Sequence, residues 1–139
     1  MKRIFFIMFA CCLLVAKSFG QEPEKDNPNA PEITFEATEH DFGKVLLNGL
    51  VEHEFNFTNT GKEPLIIHSC SASCGCTTPS CPKDPIKPGE KGTVKVKYNT
   101  TSSAGVFNKY VTVSSNAKNS SVRLSIKGEM VKAETEEAK

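Results

Sequence analysis

The chain has no tryptophan, only two tyrosines and only three methionines, so nine phenylalanines must supply most of the aromatic bulk of any core. It has no stretch with apolar residues at spacings of three and four, and this excludes a helix of useful length. It has no apolar run long enough for a permanent membrane anchor, which needs about 18–20 residues. It has no Gly-x-Ser-x-Gly, no His-Glu-x-x-His and no glycine-rich phosphate loop, so the common hydrolase, metalloprotease and nucleotide-binding signatures are missing. It also lacks any excess of positive charge. Three of its seventeen basic residues (Lys2, Arg3 and Lys17) fall in an N-terminal leader, leaving two more acidic than basic groups in the rest. No basic field exists there to attract nucleic acid or anionic lipid.

What is present at the N-terminus reads as an export signal. Lys2 and Arg3 precede an apolar run from Ile4 to Ala16, and Ser18-Phe19-Gly20 sets small residues where a signal peptidase reads them. An uncleaved anchor is disfavoured by the shortness of the run. A lipid-bearing cysteine at Cys11 or Cys12 is disfavoured because the run continues past both. The expected organisation is a signal peptide over residues 1–20, a flexible linker over 21–31, a domain over 32–130 and a charged tail over 131–139. The linker is polar and holds three prolines, too little apolar surface to order itself.

From Ile33 the pattern changes to short alternating runs. Val51, His53, Phe55 and Phe57 alternate with polar residues, as do Val94, Val96 and Tyr98, and again Val122, Leu124 and Ile126. A period of two means a strand with one buried face. Strands are predicted over 33–37, 44–47, 50–58, 63–69, 91–98, 106–114 and 120–128. Asn59-Thr60-Gly61, Pro88-Gly89 and Ser115-Asn116 mark turns between them, and Pro then Gly suits a type II turn. About seven short strands in about a hundred residues predict an all-β fold, an immunoglobulin-like antiparallel β-sandwich. Its predicted core is Phe55, Phe57, Val94, Val96, Val111, Val113, Leu124 and Ile126.

Several segments recur in the order of a known family. These are His40-Asp41-Phe42-Gly43, Phe55-Asn56-Phe57-Thr58-Asn59-Thr60-Gly61, Ser73-Cys74-Gly75-Cys76-Thr77-Thr78-Pro79 and Ile86-Lys87-Pro88-Gly89-Glu90. Gly105-Val106-Phe107-Asn108-Lys109, Ser115-Asn116 and Ile126-Lys127-Gly128-Glu129 follow. Over residues 33–130 the chain resembles the bacterial domain of unknown function 1573. The resemblance implies an exported immunoglobulin-like domain, common in Bacteroidota, and similar to the protein-binding modules of the major-sperm-protein and hydin type. It implies no activity. Cys70 and Cys81 lie outside the family pattern.

The chemistry of the chain concentrates in Cys70, Cys74, Cys76 and Cys81, the only cysteines after the leader. Three readings compete. An even number of thiols in an exported domain favours two disulfides stapling the loop between the strands 63–69 and 91–98. Four cysteines allow three connectivities. A Cys74–Cys76 bond would close a very small, reducible ring, whereas Cys70–Cys81 closes a larger loop with less strain. The second reading is a metal site, since four thiolates suit zinc or Cu(I), with His68 on the same strand face as Cys70 if the strand continues. The third is thiol redox chemistry at Cys74 and Cys76, although no helix opens there to favour a thiolate. His53 is expected on a strand face and His40 solvated in a turn. The sequons at Asn56, Asn99 and Asn119 are chance matches in a bacterial protein.

These readings converge on a non-catalytic protein-interaction module of the periplasm or cell surface. Its partner is another protein, not nucleic acid and not a membrane it inserts into after cleavage. Free sheet edges offer unpaired backbone for strand addition, and no catalytic residue and no cofactor is assigned. The alternative is a metal-binding or thiol-redox protein centred on residues 70–81. Intact-mass measurement on protein from the native host should find a chain beginning at Gln21; a mass carrying diacylglycerol on Cys11 or Cys12 would refute a soluble exported form.

Overall fold

Eight strands carry the described residues, 27–100 and 103–133, of this computed structural model. They are β1 (Ile33–Phe35), β2 (Glu39–Leu46), β3 (Leu50–Asn59), β4 (Ile67–Ala72), β5 (Thr77–Ser80), β6 (Lys91–Asn99), β7 (Gly105–Ser115) and β8 (Ser121–Val131). The expected signal peptide with Cys11 and Cys12, the linker up to Asp26 and the tail from Glu134 lie outside the described residues. One sheet runs β1-β3-β6-β5 and the other β2-β8-β7-β4. Two such sheets bury their apolar faces against each other, as in an immunoglobulin-like sandwich.

The alternation in the sequence sets which face is buried. All eight predicted core residues are buried: Phe55 and Phe57 on β3, Val94 and Val96 on β6, Val111 and Val113 on β7, Leu124 and Ile126 on β8. Tyr98 and Phe107 join them from facing sheets, their rings stacked 4.5 Å apart. The Pro88-Gly89 turn is type II as expected: Glu90 N–H donates to the Lys87 carbonyl at 2.9 Å, and Gly89 takes a φ of +80°.

Four details depart from the sequence reading. The pairing is not wholly antiparallel, because β2 lies parallel to β8. β2 also begins earlier than expected, at Glu39, because a bulge between Asp41 and Lys44 breaks its alternation. There Gly43 adopts a φ of +63° and donates its N–H to the Asp41 carboxylate at 2.8 Å. Strand 63–69 is displaced to Ile67–Ala72, since Leu65 makes only an isolated bridge with Ile86. Finally, the four-residue β5 lies inside the expected cysteine loop. Pro79 hides it in the sequence, because proline in a sheet is confined to edges and β5 is an edge.

This topology sorts the connections. The β2–β3 turn, the β4–β5 loop, the end of β6 and the start of β7 share one end, tied by the pairings Leu46 with Val131, Leu50 with Asn99, Thr77 with Tyr98, and Gly105 with Met130. At the other end Asn59 is buried and its amide group holds three segments. Its Nδ2 donates to the carbonyls of Glu63 (2.8 Å) and Ile86 (2.9 Å), and its Oδ1 accepts from Gly61 N–H at 3.0 Å.

Truncating Phe55 removes a ring from the middle of this interface. Phe55→Ala should lower stability by about 3–5 kcal/mol in urea denaturation; an unchanged midpoint would mean that β3 presents its other face to the core.

Candidate functional site

Two disulfides divide the cysteine segment into two parts with different mechanical consequences. Cys70 on β4 is bonded to Cys81, the residue after β5, with Cα atoms 6.4 Å apart. β4 and β5 are edges of opposite sheets, so this bond ties the two layers together along one side. Cys74 is bonded to Cys76 with Cα atoms 5.4 Å apart, and it joins nothing but its own loop. On loop-closure entropy the first bond contributes up to about 3 kcal/mol and the second about half that. All four thiols are consumed, so the metal alternative at Cys70, Cys74, Cys76 and Cys81 loses its thiolate ligands. His68 does not support it either. It is the unpaired extra residue of a bulge between Ile67 and Ser69, exposed to solvent and out of step with Cys70.

Backbone hydrogen bonds hold both shoulders of the Cys74–Cys76 loop. Ser73 N–H donates to the Tyr110 carbonyl (2.9 Å), Thr77 N–H to the Cys74 carbonyl (3.2 Å) and Asn99 N–H to the Cys76 carbonyl (2.9 Å). The Thr77 hydroxyl lies 3.4 Å from the Cys74 Sγ. Gly75 and Cys76 line a shallow groove of about 470 Å³ with Leu50, Thr78, Lys97 and Asn99. Lys97 is 3.7 Å from Glu52 on the same outer face. The neighbouring β2–β3 turn is held by the buried Thr100, whose Oγ1 sits 2.8 Å from the Leu46 carbonyl and accepts from Gly49 N–H at 2.8 Å. Three large apolar side chains remain exposed at this end: Leu46 (59%), Leu50 (61%) and Val106 (85%).

The opposite side of the sandwich is closed without a disulfide among the described residues. His40 belongs to β2 and is half-buried, not solvated in a turn as its sequence neighbours implied. Its ring stacks on His53 of β3 at 3.6 Å, and Phe42 and Phe55 meet the pair edge-on. The stack therefore bridges the two sheets. Burial, and then the proximity of His40, holds the His53 imidazole below its ordinary pKa, with Glu54 pulling weakly the other way. The short edge β1 is capped by Asn119, which accepts from Ile33 N–H (3.1 Å) and donates to the Ile33 carbonyl (2.7 Å). Neither Asn119 nor Thr100 was singled out as structural from sequence, where both appeared only within sequons.

The family described as "Protein of unknown function (DUF1573)" matches residues 33–130. No curated protein matches the chain. A protein of unknown function from Porphyromonas gingivalis W83 superposes with a TM-score of 0.65 at 16% identity, covering 74% of this chain and 49% of its own. The chain thus spans about half the length of that protein. PapD-like domain 7 of human CEP192 gives 0.64 at 11% identity, covering 81% of this chain and 94% of its own. The Escherichia coli chaperone DraB gives 0.50 at 10% identity, covering 74% and 56%. At these identities the likeness is one of fold.

The histidine stack sets a pH dependence. A group whose pKa is lowered on folding adds stability above its unfolded pKa, and that stability is lost as pH falls through the folded value. Stability should therefore decline as pH drops below about 6.5, and His53→Phe should flatten that limb in urea midpoints compared between about pH 7.5 and pH 5. An equally steep limb in the variant would place the responsible group elsewhere.

Proposed function

We propose a binding role on this premise: the chain belongs to the family of proteins of unknown function, DUF1573. The protein is an exported, non-catalytic interaction module of the bacterial periplasm or cell surface, and it docks another protein through the loop-bearing end of the sandwich. The observation that carries this reading is the placement of Leu46, Leu50 and Val106. They are three of the five large hydrophobics exposed among the described residues, and all three stand at one end. Exposed apolar side chains gathered in one region mark interaction surfaces more often than scattered ones do.

The sheet edges support strand addition less well. β1 is capped by Asn119, β5 holds Pro79 and only four residues, and β4 is tied by the Cys70–Cys81 bond. β2 is the longest free edge, but it is bulged and carries Glu39, Asp41 and Lys44. These devices are the ones that keep natural edges from pairing. PapD-like and chaperone domains of the same fold are consistent with a protein partner. Export is supported by the basic start, the short apolar run and the two disulfides, which persist in oxidising compartments.

A photo-crosslinking residue at Leu50 or Val106 should trap a discrete adduct in the native host, lost on Leu46→Asp, while the same residue at Lys87 on the far end should not. Equal labelling at all three positions would refute docking through this end.

A further inference from the structure

We propose that Cys74–Cys76 is a thiol–disulfide exchange site that accepts two electrons from a partner presenting a pair of thiols, while Cys70–Cys81 serves only as a structural clasp. The proposal stands on chemistry at one loop and does not depend on which surface docks a protein.

Four features separate the two bonds. The Cys74–Cys76 ring spans a single intervening residue, Gly75, which is exposed and lies on the wall of the groove. Cys70 and Cys81 lie against the core, as does the Cys76 side chain, whereas Cys74 does not. Both shoulders of the small ring are already held by backbone hydrogen bonds from Ser73, Thr77 and Asn99, so opening it releases no strand. Opening Cys70–Cys81 would instead free β4 from β5 and part the edges of the two sheets. All four cysteines are half-buried, so what marks the small ring as the exchangeable one is its size and its independence of the strands rather than exposure.

The surroundings also fix a direction of attack. Cys76 lines the groove with the apolar Leu50 and the cationic Lys97, and the attack is therefore assigned to its sulfur. The partner's first thiolate forms a bond to Cys76 Sγ as the Cys74–Cys76 bond breaks, and the electron pair leaves on Cys74 Sγ. The Thr77 hydroxyl, 3.4 Å away, donates to that thiolate. The partner's second thiolate then attacks its own sulfur in the mixed disulfide and expels Cys76 as a thiolate. The two protons given up by the partner's thiols end on Cys74 and Cys76. The partner leaves as a disulfide and the loop as a dithiol. Lys97 acts as a positioning residue, since a nearby ammonium favours thiolate over thiol at Cys76.

The test uses the oxidised, exported protein equilibrated with reduced and oxidised dithiothreitol, quenched by alkylation and read pair by pair by peptide mass spectrometry. Cys74–Cys76 should reach half-reduction at a reduced-to-oxidised ratio at least about tenfold lower than Cys70–Cys81, with the near-ultraviolet circular dichroism of the fold retained. A reduced synthetic peptide with two cysteines should replace dithiothreitol and be recovered as its disulfide. Both pairs opening at one ratio together with unfolding, or Cys70–Cys81 opening first, would overturn the proposal. In Cys74→Ser, the free Cys76 thiol should react with an aromatic disulfide reagent several-fold faster near neutral pH than in Cys74→Ser with Lys97→Gln. The gap should close at high pH, where both thiols are ionised. A gap that persists there, or none at neutral pH, would remove Lys97 from the site.

Discussion

Among the described residues, the Cys70–Cys81 bond is the one disulfide that cross-links the two layers of this sandwich. The strand ladders run within each sheet and none crosses from one to the other, so the main hold between the layers is burial of side chains such as Phe55, Tyr98, Phe107 and Leu124, with local side-chain bonds such as those of Asn119 to Ile33. Apolar burial is strong but non-directional. It does not fix how the edges meet. The disulfide fixes them on the side of β4 and β5, and the His40–His53 stack meets the same need on the side of β2 and β3. One device depends on oxidation and the other on a neutral imidazole, so the two sides respond to different conditions.

With both flanks closed, the reactive and adhesive groups of the domain collect at an end. The β4–β5 loop, the β2–β3 turn and the start of β7 bring Cys76, Leu50, Leu46 and Val106 to the same region. A rigid scaffold carrying function on loops at one end is the common arrangement in sandwich folds. The clasp is what lets the neighbouring loop carry a second, smaller disulfide without the fold relying on it.

Much of the architecture was legible because its physics is periodic. Phe55 and Phe57, Val94 and Val96, Val111 and Val113, and Leu124 and Ile126 declare a buried face by alternation alone. The pairing of β2 with β8 was not legible: a bulge at Asp41 to Lys44 interrupts the period, and no local signal distinguishes a parallel neighbour. β5 was masked by Pro79, which reads as a strand breaker until its edge position is known. Polar residues that organise the ends, among them Asn59, Thr100 and Asn119, act through contacts distant in sequence, as with Asn119 and Ile33. The cysteines were legible as a cluster. Their separate roles were not, because those depend on which edges the fold brings side by side.

The central claim is that the two disulfides are mechanically independent, one holding the layers together and the other free to open. Amide hydrogen exchange on the oxidised protein and on protein mildly reduced until only Cys74–Cys76 has opened tests this most directly. The account requires protection to fall only around residues 73–78, with β4, β5 and the core strands exchanging as before. Loss of protection along β4 and β5, or across the core, would show that the small ring supports the fold and would contradict the division of roles.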